Sequence, residues 1–203
     1  MITIVDYGAG NIGSIVNMIR KIGVEVEVSS DLLKINTAKK LILPGVGNFD
    51  YGMQKLIESG LIESLNNRVL VEKCPILGIC LGVQLFTKGS QEGELKGLGW
   101  FNAEVVKFQF DGDGKKIPHM GWNEVRLSKG SKLFTGLDDH ARFYFVHSYH
   151  LRCNEEADCL AKTDYGYAFT AALEKENIVG VQFHPEKSHK FGMKILKNFV
   201  ELY

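Results

Sequence analysis

The chemistry that the sequence indicates first centres on one cysteine. Cys80 lies in the pentapeptide GICLG (residues 78–82), between an apolar run and a segment with helical spacing. A nucleophile flanked by two glycines at this kind of junction is typical of the sharp strand-to-helix turn of many hydrolases. The start of the following helix favours the thiolate form of such a cysteine. Because cysteines are also common in buried cores, the pentapeptide alone leaves a packing role open.

A cysteine nucleophile needs a base and a group that orients the base, and VQFHPEKS (residues 181–188) supplies candidates for both. His184 and Glu186 follow a strand-like run, and Pro185 fixes the backbone between them. Ligands bind at the carboxyl ends of strands in open α/β sheets, so we expect Cys80 and His184 to meet there. The imidazole would take the thiol proton, and the carboxylate would hold the ring. Taken alone, His184 could equally be a surface-loop histidine.

Backbone N–H groups near Cys80 are candidate donors to a developing oxyanion. PGVG (residues 44–47) follows another buried strand, and its glycines allow the backbone to approach a substrate closely. The candidates in this segment are Gly45, Val46 and Gly47, and a plain turn is the alternative. The amide of Leu81, immediately after the cysteine, is a second donor.

The elements that must position these residues alternate along the first half of the chain. Up to about residue 90 the hydrophobic pattern predicts the order β-α-β-α-β-α-β-α, which is typical of a parallel, doubly wound sheet. The second half contains mostly strand-like segments, and the chain ends in an amphipathic helix over 189–203. We therefore predict one α/β domain with a mostly parallel sheet and an added antiparallel layer.

The composition excludes several classes of partner. Lys plus Arg and Asp plus Glu number 24 each in 203 residues, so no charge excess points to nucleic acid or a membrane surface. No apolar run approaches the roughly 20 residues of a membrane span, and the N-terminus resembles no signal peptide. We expect a cytoplasmic protein with reduced cysteines. These are Cys74, Cys80, Cys153 and Cys159; in a secreted protein the last two could pair.

A rival interpretation comes from GAGNIG (residues 8–13), which has the spacing of a dinucleotide-binding fingerprint and indicates a nucleotide-binding oxidoreductase. A glycine turn before a helix capped by Asn11 explains the same residues. His147, His150 and Cys153 follow one another at steps of three. On a strand such residues alternate faces, so we expect no metal site there.

Three motifs together, GICLGVQ, LPGVGNF and VQFHPEKS, resemble those of the class I glutamine amidotransferases. The segments DYGAGN (6–11), IPHMGWNEV (117–125) and FYFVHSY (143–149) are similar to those of one branch, the glutaminase subunits of imidazole glycerol phosphate synthase. The resemblance extends from Asp6 to the terminal helix. It implies a flavodoxin-like sheet and a single glutamine amidotransferase type 1 domain over residues 1–203.

The resemblance also implies roles for individual residues. The catalytic triad would be Cys80, His184 and Glu186. The oxyanion strand would be Gly45, Val46 and Gly47. Glutamine would be held by Gln84, His147 and Ser148. The docking face toward a synthase subunit would contain Trp122, Tyr144 and Lys187.

These features predict a glutaminase that needs no metal or organic cofactor. Cys80 would form a glutamyl thioester, ammonia would leave, and water would release glutamate. One glutaminase fold accounts for the whole chain, so we expect a separate ammonia-accepting partner. The resemblance implies a heterodimer with a (β/α)8-barrel cyclase of histidine biosynthesis and a shielded channel for ammonia.

Other functions remain open at this level. Relatives with the same triad feed sugar-amidating partners in surface polysaccharide synthesis. A free-standing cysteine hydrolase would act without a partner. The activity of a nucleotide-binding oxidoreductase would not change when Cys80 is substituted. A non-catalytic regulatory subunit is the last alternative, and the intact triad argues against it.

Overall fold

The computed structural model of the chain describes residues 1–110, 112, 114–138 and 140–203. The first half alternates strands and helices as predicted. Its elements are β1 (Ile2–Val5), α1 (Ile12–Ile22), β2 (Val26–Ser29), α2 (Leu32–Thr37), β3 (Leu41–Gly45), α3 (Phe49–Glu58), α4 (Ile62–Asn66), β4 (Ile76–Cys80) and α5 (Leu81–Leu85).

The second half is built mainly of strands, also as predicted. Its elements are β5 (Ala103–Lys107), β6 (His119–Glu124), β7 (Arg126–Leu127), β8 (Arg142–His147), β9 (Tyr149–Cys153), β10 (Cys159–Asp164), β11 (Ala168–Lys175), β12 (Ile178–Val181) and α6 (His189–Leu202). A short 3₁₀ turn, Pro185–Lys187, lies between β12 and α6.

The central sheet has five parallel strands in the order β2-β1-β3-β4-β12. This is the flavodoxin-like order, with β12 in the place of the fifth strand. The antiparallel strands β11, β10 and β7 continue the same sheet beyond β12, and β9 joins β11 to β5. Strands β6 and β8 form a separate antiparallel pair. The predicted doubly wound α/β fold with added antiparallel strands is therefore confirmed.

Both faces of the parallel sheet are covered by helices. Successive residues of a strand point to opposite faces. In β3, Ile42 packs in one apolar cluster with α1 and α6, whereas Leu41 and Leu43 pack in a second cluster with α3, α4 and α5. Burial on both faces explains why these strands are continuous apolar runs rather than alternating ones.

Two local predictions at helix ends are wrong. Asn11 precedes α1, but its backbone (φ −89°, ψ 69°) is not extended as a capping residue requires, and its side chain makes no bond to the helix backbone. The spacing of LGVQLFTKGS predicts a short helix over 81–90, but the helix after Cys80 ends at Leu85, because the Leu85 carbonyl accepts a hydrogen bond from the Leu98 N–H (2.8 Å). Within the described ranges, no helix is long and apolar enough to cross a membrane.

Candidate active site

Three neighbouring parallel strands bring the predicted catalytic segments together. In the register of the sheet Gly45 of β3 lies beside Cys80 of β4, and Val181 of β12 lies beside Ile79. Cys80 therefore sits at the middle of three carboxyl strand ends. The PGVG segment leaves the sheet on one side of it, and the loop that carries His184 leaves on the other.

The backbone at Cys80 makes the sharp turn that the pentapeptide predicts. Its φ of +54° is in the left-handed region, which a residue with a side chain rarely adopts. A Cβ atom at Gly82 would overlap the Leu43 carbonyl oxygen, and one at Gly78 would overlap the Phe86 ring. The two glycines thus allow α5 to pack directly against the strands that it follows.

His184 and Glu186 form a buried pair next to the cysteine. His184 Nδ1 lies 2.7 Å from Glu186 Oε1, and the two side chains are 3% and 2% exposed. Burial by itself lowers the pKa of His184, but the interactions of its ring with Cys80 and with the Glu186 carboxylate together raise it above its usual range. Among the described residues His184 Nε2 has no hydrogen-bond partner. This nitrogen is available to exchange a proton at the Cys80 end of the ring.

Strand β8 holds the histidine loop in place. The N–H of His184 donates to the Tyr144 carbonyl (2.9 Å). The Ser188 hydroxyl donates to the His184 carbonyl (2.6 Å) and accepts from the Tyr144 N–H (2.9 Å). His184 is therefore attached to the β6–β8 pair as well as to the central sheet.

A cavity of about 420 Å³ opens at these strand ends. Nine predicted site residues line it: Val46, Gly47, Cys80, Leu81, Gln84, His147, Ser148, His184 and Lys187. Its lining also includes Glu92, Pro118, Val146 and Tyr149. Gly45 is buried at the end of β3, and Glu186 lies behind His184, so neither is part of the lining.

A hydrogen-bonded pair of glutamines joins the cavity wall to the cysteine. Gln84 Nε2 donates to the Tyr149 carbonyl (3.2 Å) and to Gln182 Oε1 (3.0 Å). Gln182 Nε2 in turn donates to the Cys80 sulfur (3.9 Å). The nitrogen of Gln84 is thus engaged within the protein, and Gln182 is a contact of the thiol that the sequence analysis missed.

Two other residues at the site were also missed. The Tyr7 hydroxyl donates to the Pro44 carbonyl (2.8 Å), and this hydrogen bond holds the start of the PGVG segment. Burial raises the pKa of Tyr7, and so does its proximity to Cys80. Glu92 Oε2 accepts from the Phe49 N–H (2.9 Å), and burial raises the pKa of this carboxyl. Tyr7 lies within the DYGAGN motif, whereas no pattern around Glu92 marks it.

The three residues predicted for docking lie together on the surface. Trp122 and Tyr144 are paired across β6 and β8 with ring centroids 6.2 Å apart, and Lys187 Nζ lies 5.7 Å from the Tyr144 ring centroid. Trp122 also stacks on His189 at 5.4 Å. Because Trp122 is 44% exposed and Met120 on the same strand is 61% exposed, this face presents apolar side chains to solvent.

The residues behind the rival interpretations have structural roles. A Cβ atom at Gly10 would lie 3.2 Å from the Pro44 ring, so the glycine turn of GAGNIG packs against the PGVG segment. The side chains of His147 and His150 are hydrogen-bonded to backbone carbonyls of β9. All four cysteines are free thiols.

Comparisons with known proteins agree on one family. The family model described as glutamine amidotransferase class-I matches residues 3–202. "Imidazole glycerol phosphate synthase subunit HisH 2" of Methanococcus maripaludis is 56% identical over 201 residues, which cover 99% of each chain. "Imidazole glycerol phosphate synthase subunit HisH 2" of Pseudomonas aeruginosa and "subunit HisH 1" of Campylobacter jejuni are each 47% identical, with 100% of each chain covered.

Solved structures share the fold at lower identity. A putative GMP synthase subunit from Thermoplasma acidophilum has a TM-score of 0.71 and 24% identity, covering 98% of this chain and 91% of its own. A structure described as a glutamine amidotransferase has a TM-score of 0.74 and 19% identity, covering 98% and 97%.

Proposed function

The chain belongs to the class I glutamine amidotransferase family, and from this premise we propose that it is the glutaminase subunit of an imidazole glycerol phosphate synthase in histidine biosynthesis. The observation that carries the proposal is the position of Cys80, between a backbone segment that can bind an oxyanion and the His184–Glu186 pair. The relatives of the same length at 47–56% identity, all named as that subunit, support the pathway.

The proposed reaction uses the triad in two stages. The Cys80 thiolate attacks the side-chain carbonyl carbon of glutamine, and backbone N–H groups of the PGVG segment and of Leu81 stabilise the oxyanion that forms. His184, charged beside Glu186, then gives its proton to the leaving nitrogen, so that ammonia departs and a glutamyl thioester remains. His184 next takes a proton from water, which attacks the thioester and releases glutamate and the thiolate.

The cavity offers groups for the other end of glutamine. Glu92 places a carboxylate in the lining, and this charge is complementary to the α-ammonium group of an amino acid. Gln84, His147 and Ser148 also line the cavity, and we place the rest of the substrate against them. No metal or organic cofactor enters the scheme.

Ammonia requires an acceptor, and we propose that the acceptor site lies on a partner. The exposed face that contains Met120, Trp122, Tyr144 and Lys187 is continuous with the cavity through Lys187. It suits a (β/α)8-barrel cyclase in a heterodimer, with ammonia passing through a shielded channel between the subunits. In this proposal residues 1–203 form one glutamine amidotransferase domain that acts in the cytoplasm.

The test is reconstitution with the cyclase subunit of imidazole glycerol phosphate synthase. We expect a one-to-one complex in which glutamate release rises by at least about tenfold over the lone chain, or about 1.4 kcal/mol of barrier, when the acceptor substrate is present. Full activity of the lone chain would indicate a free-standing hydrolase. Failure to bind the cyclase, together with activation by a sugar-amidating partner, would reject the histidine pathway.

A further inference from the structure

A buried pair of histidines joins the cavity wall to strand β6. His119 of β6 and His147 of β8 are partners in the strand register, and His119 Nδ1 lies 3.1 Å from His147 Nε2. His147 Nδ1 lies 2.8 Å from the Tyr149 carbonyl oxygen. The two histidines are only 2% and 7% exposed, so water does not replace these contacts.

The hydrogen bonds in this pair have one possible direction when both rings are neutral. A carbonyl oxygen only accepts, so His147 Nδ1 must carry the proton, and His147 Nε2 must accept from His119 Nδ1. His119 Nε2 is then an acceptor, and Asn123 Nδ2 donates to it at 3.2 Å. Burial lowers the pKa of His119 to about 4 and that of His147 to about 3, so both rings are neutral near pH 7.

The chain of hydrogen bonds ends in the wall of the cavity. The Tyr149 carbonyl that accepts from His147 also accepts from Gln84 Nε2. His147, Ser148, Tyr149 and Gln84 all line the cavity, whereas His119 does not. The side chain of His119 therefore reaches the cavity lining through its hydrogen bond to His147.

We propose that His119 is a positioning residue, whose hydrogen bond to Nε2 holds the His147 ring in the orientation that binds the Tyr149 carbonyl and thereby fixes the substrate-binding wall at residues 147–149. The inference rests on the proposed function in one respect, which is that this wall receives glutamine. Because both ring nitrogens of His147 are engaged within the protein, its contribution to substrate binding is the shape of the wall rather than a side-chain N–H.

His119→Phe is the direct test. The His119 ring stacks on Phe145 and Tyr165 with centroids 4.8 and 4.1 Å apart, and phenylalanine keeps this packing while removing both nitrogens. A diazoketone analogue of glutamine must bind the wall before it alkylates Cys80, whereas iodoacetamide needs no such binding. We expect inactivation by the analogue to slow about tenfold, because His147 Nε2 is left unpaired, and alkylation by iodoacetamide to stay within about twofold.

Two further measurements separate positioning from packing. Nitrogen-15 NMR of the histidine rings should show His147 with its proton on Nδ1 and its Nε2 accepting a hydrogen bond in the native chain, and the Nε2 signal should shift in His119→Phe, where that donor is gone. His119→Asn places an N–H near the position of Nδ1 and should restore most of the analogue's rate. His119→Gln places it near Nε2 and should not. This pair of variants also decides the question if His119→Phe fails to fold.

His150→Phe is the matched control. His150 is 5% exposed, bonds to the Leu151 carbonyl (3.0 Å) and the Tyr167 hydroxyl (2.8 Å), and packs in the same aromatic cluster, outside the chain of bonds to the wall. It should leave the ratio of the two inactivation rates unchanged. An unchanged ratio in folded His119→Phe, equal rates in the Asn and Gln variants, or an equal loss in His150→Phe would overturn the inference.

The native chain tests the proposed function separately. If the analogue reacts with native Cys80 no faster than iodoacetamide does, the glutamine site is rejected. The Nε2 signal of His147 still decides whether His119 holds the His147 ring, because that measurement needs no substrate.

Discussion

Replacing Glu186 with glutamine shows how much of the proposed chemistry depends on the charge behind His184. Glu186 Oε1 lies 2.7 Å from His184 Nδ1, and 2% of the glutamate side chain is exposed. Glutamine keeps the size and one acceptor oxygen but removes the charge. A hydrogen bond to a charged group contributes about 1.5–3 kcal/mol. We therefore expect the barrier to rise by about 2–3 kcal/mol, or roughly 30- to 150-fold in kcat/KM for glutamine.

The same substitution should lower the pKa of His184, because the Glu186 carboxylate is one of the groups that raise it against the effect of burial. If the new amide instead turns its NH₂ group toward Nδ1, the imidazole is held in the wrong tautomer and the loss of activity is larger. The assay is glutamate release by the complex with its partner as a function of pH, together with NMR titration of His184 in the lone chain.

Glu176→Gln is the matched control for the loss of one negative charge. Glu176 is 65% exposed and pairs with Lys73 on the surface at 2.7 Å. Exposed ion pairs contribute little, so this variant should stay within about twofold of native activity. A folded Glu186→Gln protein that keeps its activity within about threefold of native would refute the orienting role. The expected loss, roughly 30-fold or more, is at least about ten times larger than that. An equal loss in both variants would point to net charge instead.

Three other results are expected. A glutamine-analogue electrophile should label Cys80 ahead of the other three cysteines, because only Cys80 combines a sharp strand-to-helix turn with a neighbouring histidine. Peptide mapping that finds the label mainly on another cysteine would reject Cys80 as the nucleophile. Cys80→Ala should lower the pKa of His184, since the interaction with Cys80 that raises it is lost, and an unchanged NMR titration would contradict the pairing. Lys187→Ala should weaken binding of the partner, or stimulation of glutamate release by the partner, with little change in the Tm, because Lys187 is exposed beside Tyr144. An unchanged Kd of the complex with unchanged stimulation would exclude this role.

The arrangement of the triad could be predicted because it depends on strand ends. Cys80 and His184 each follow a buried apolar run, and in a parallel sheet the carboxyl ends of such runs meet at one edge. The sequence therefore indicates that these residues lie at the same edge of the sheet. The strand order, with β4 between β3 and β12, makes them neighbours there, and this order was not predicted from the sequence.

The contacts that support the triad could not be predicted from spacing. Gln182 and Cys80 are 102 positions apart, Tyr7 and Pro44 are 37 apart, and His119 and His147 are 28 apart. Such contacts depend on strand register, which is fixed by how the whole sheet buries its apolar side chains.

The length of α5 shows the same limit at short range. Helical spacing continues past Leu85 in the sequence. In the structure the N–H groups of Gly97 and Leu98 donate to the carbonyls of Lys88 and Leu85, and the helix ends at Leu85. A long-range contact overrides the local preference in this segment.

The central claim is that this chain makes ammonia and does nothing else in the joint reaction, and Cys80→Ala in the assembled complex tests it most directly. Loss of a covalent nucleophile costs several orders of magnitude in rate, so glutamine-dependent product formation should disappear. Supplied with ammonium salt at a pH where free ammonia is appreciable, the same complex should still form product at close to the native ammonia-dependent rate. Glutamine-dependent synthesis near the native rate would mean that Cys80 is structural, and loss of both activities in an intact complex would mean that this chain takes part in the synthase chemistry itself.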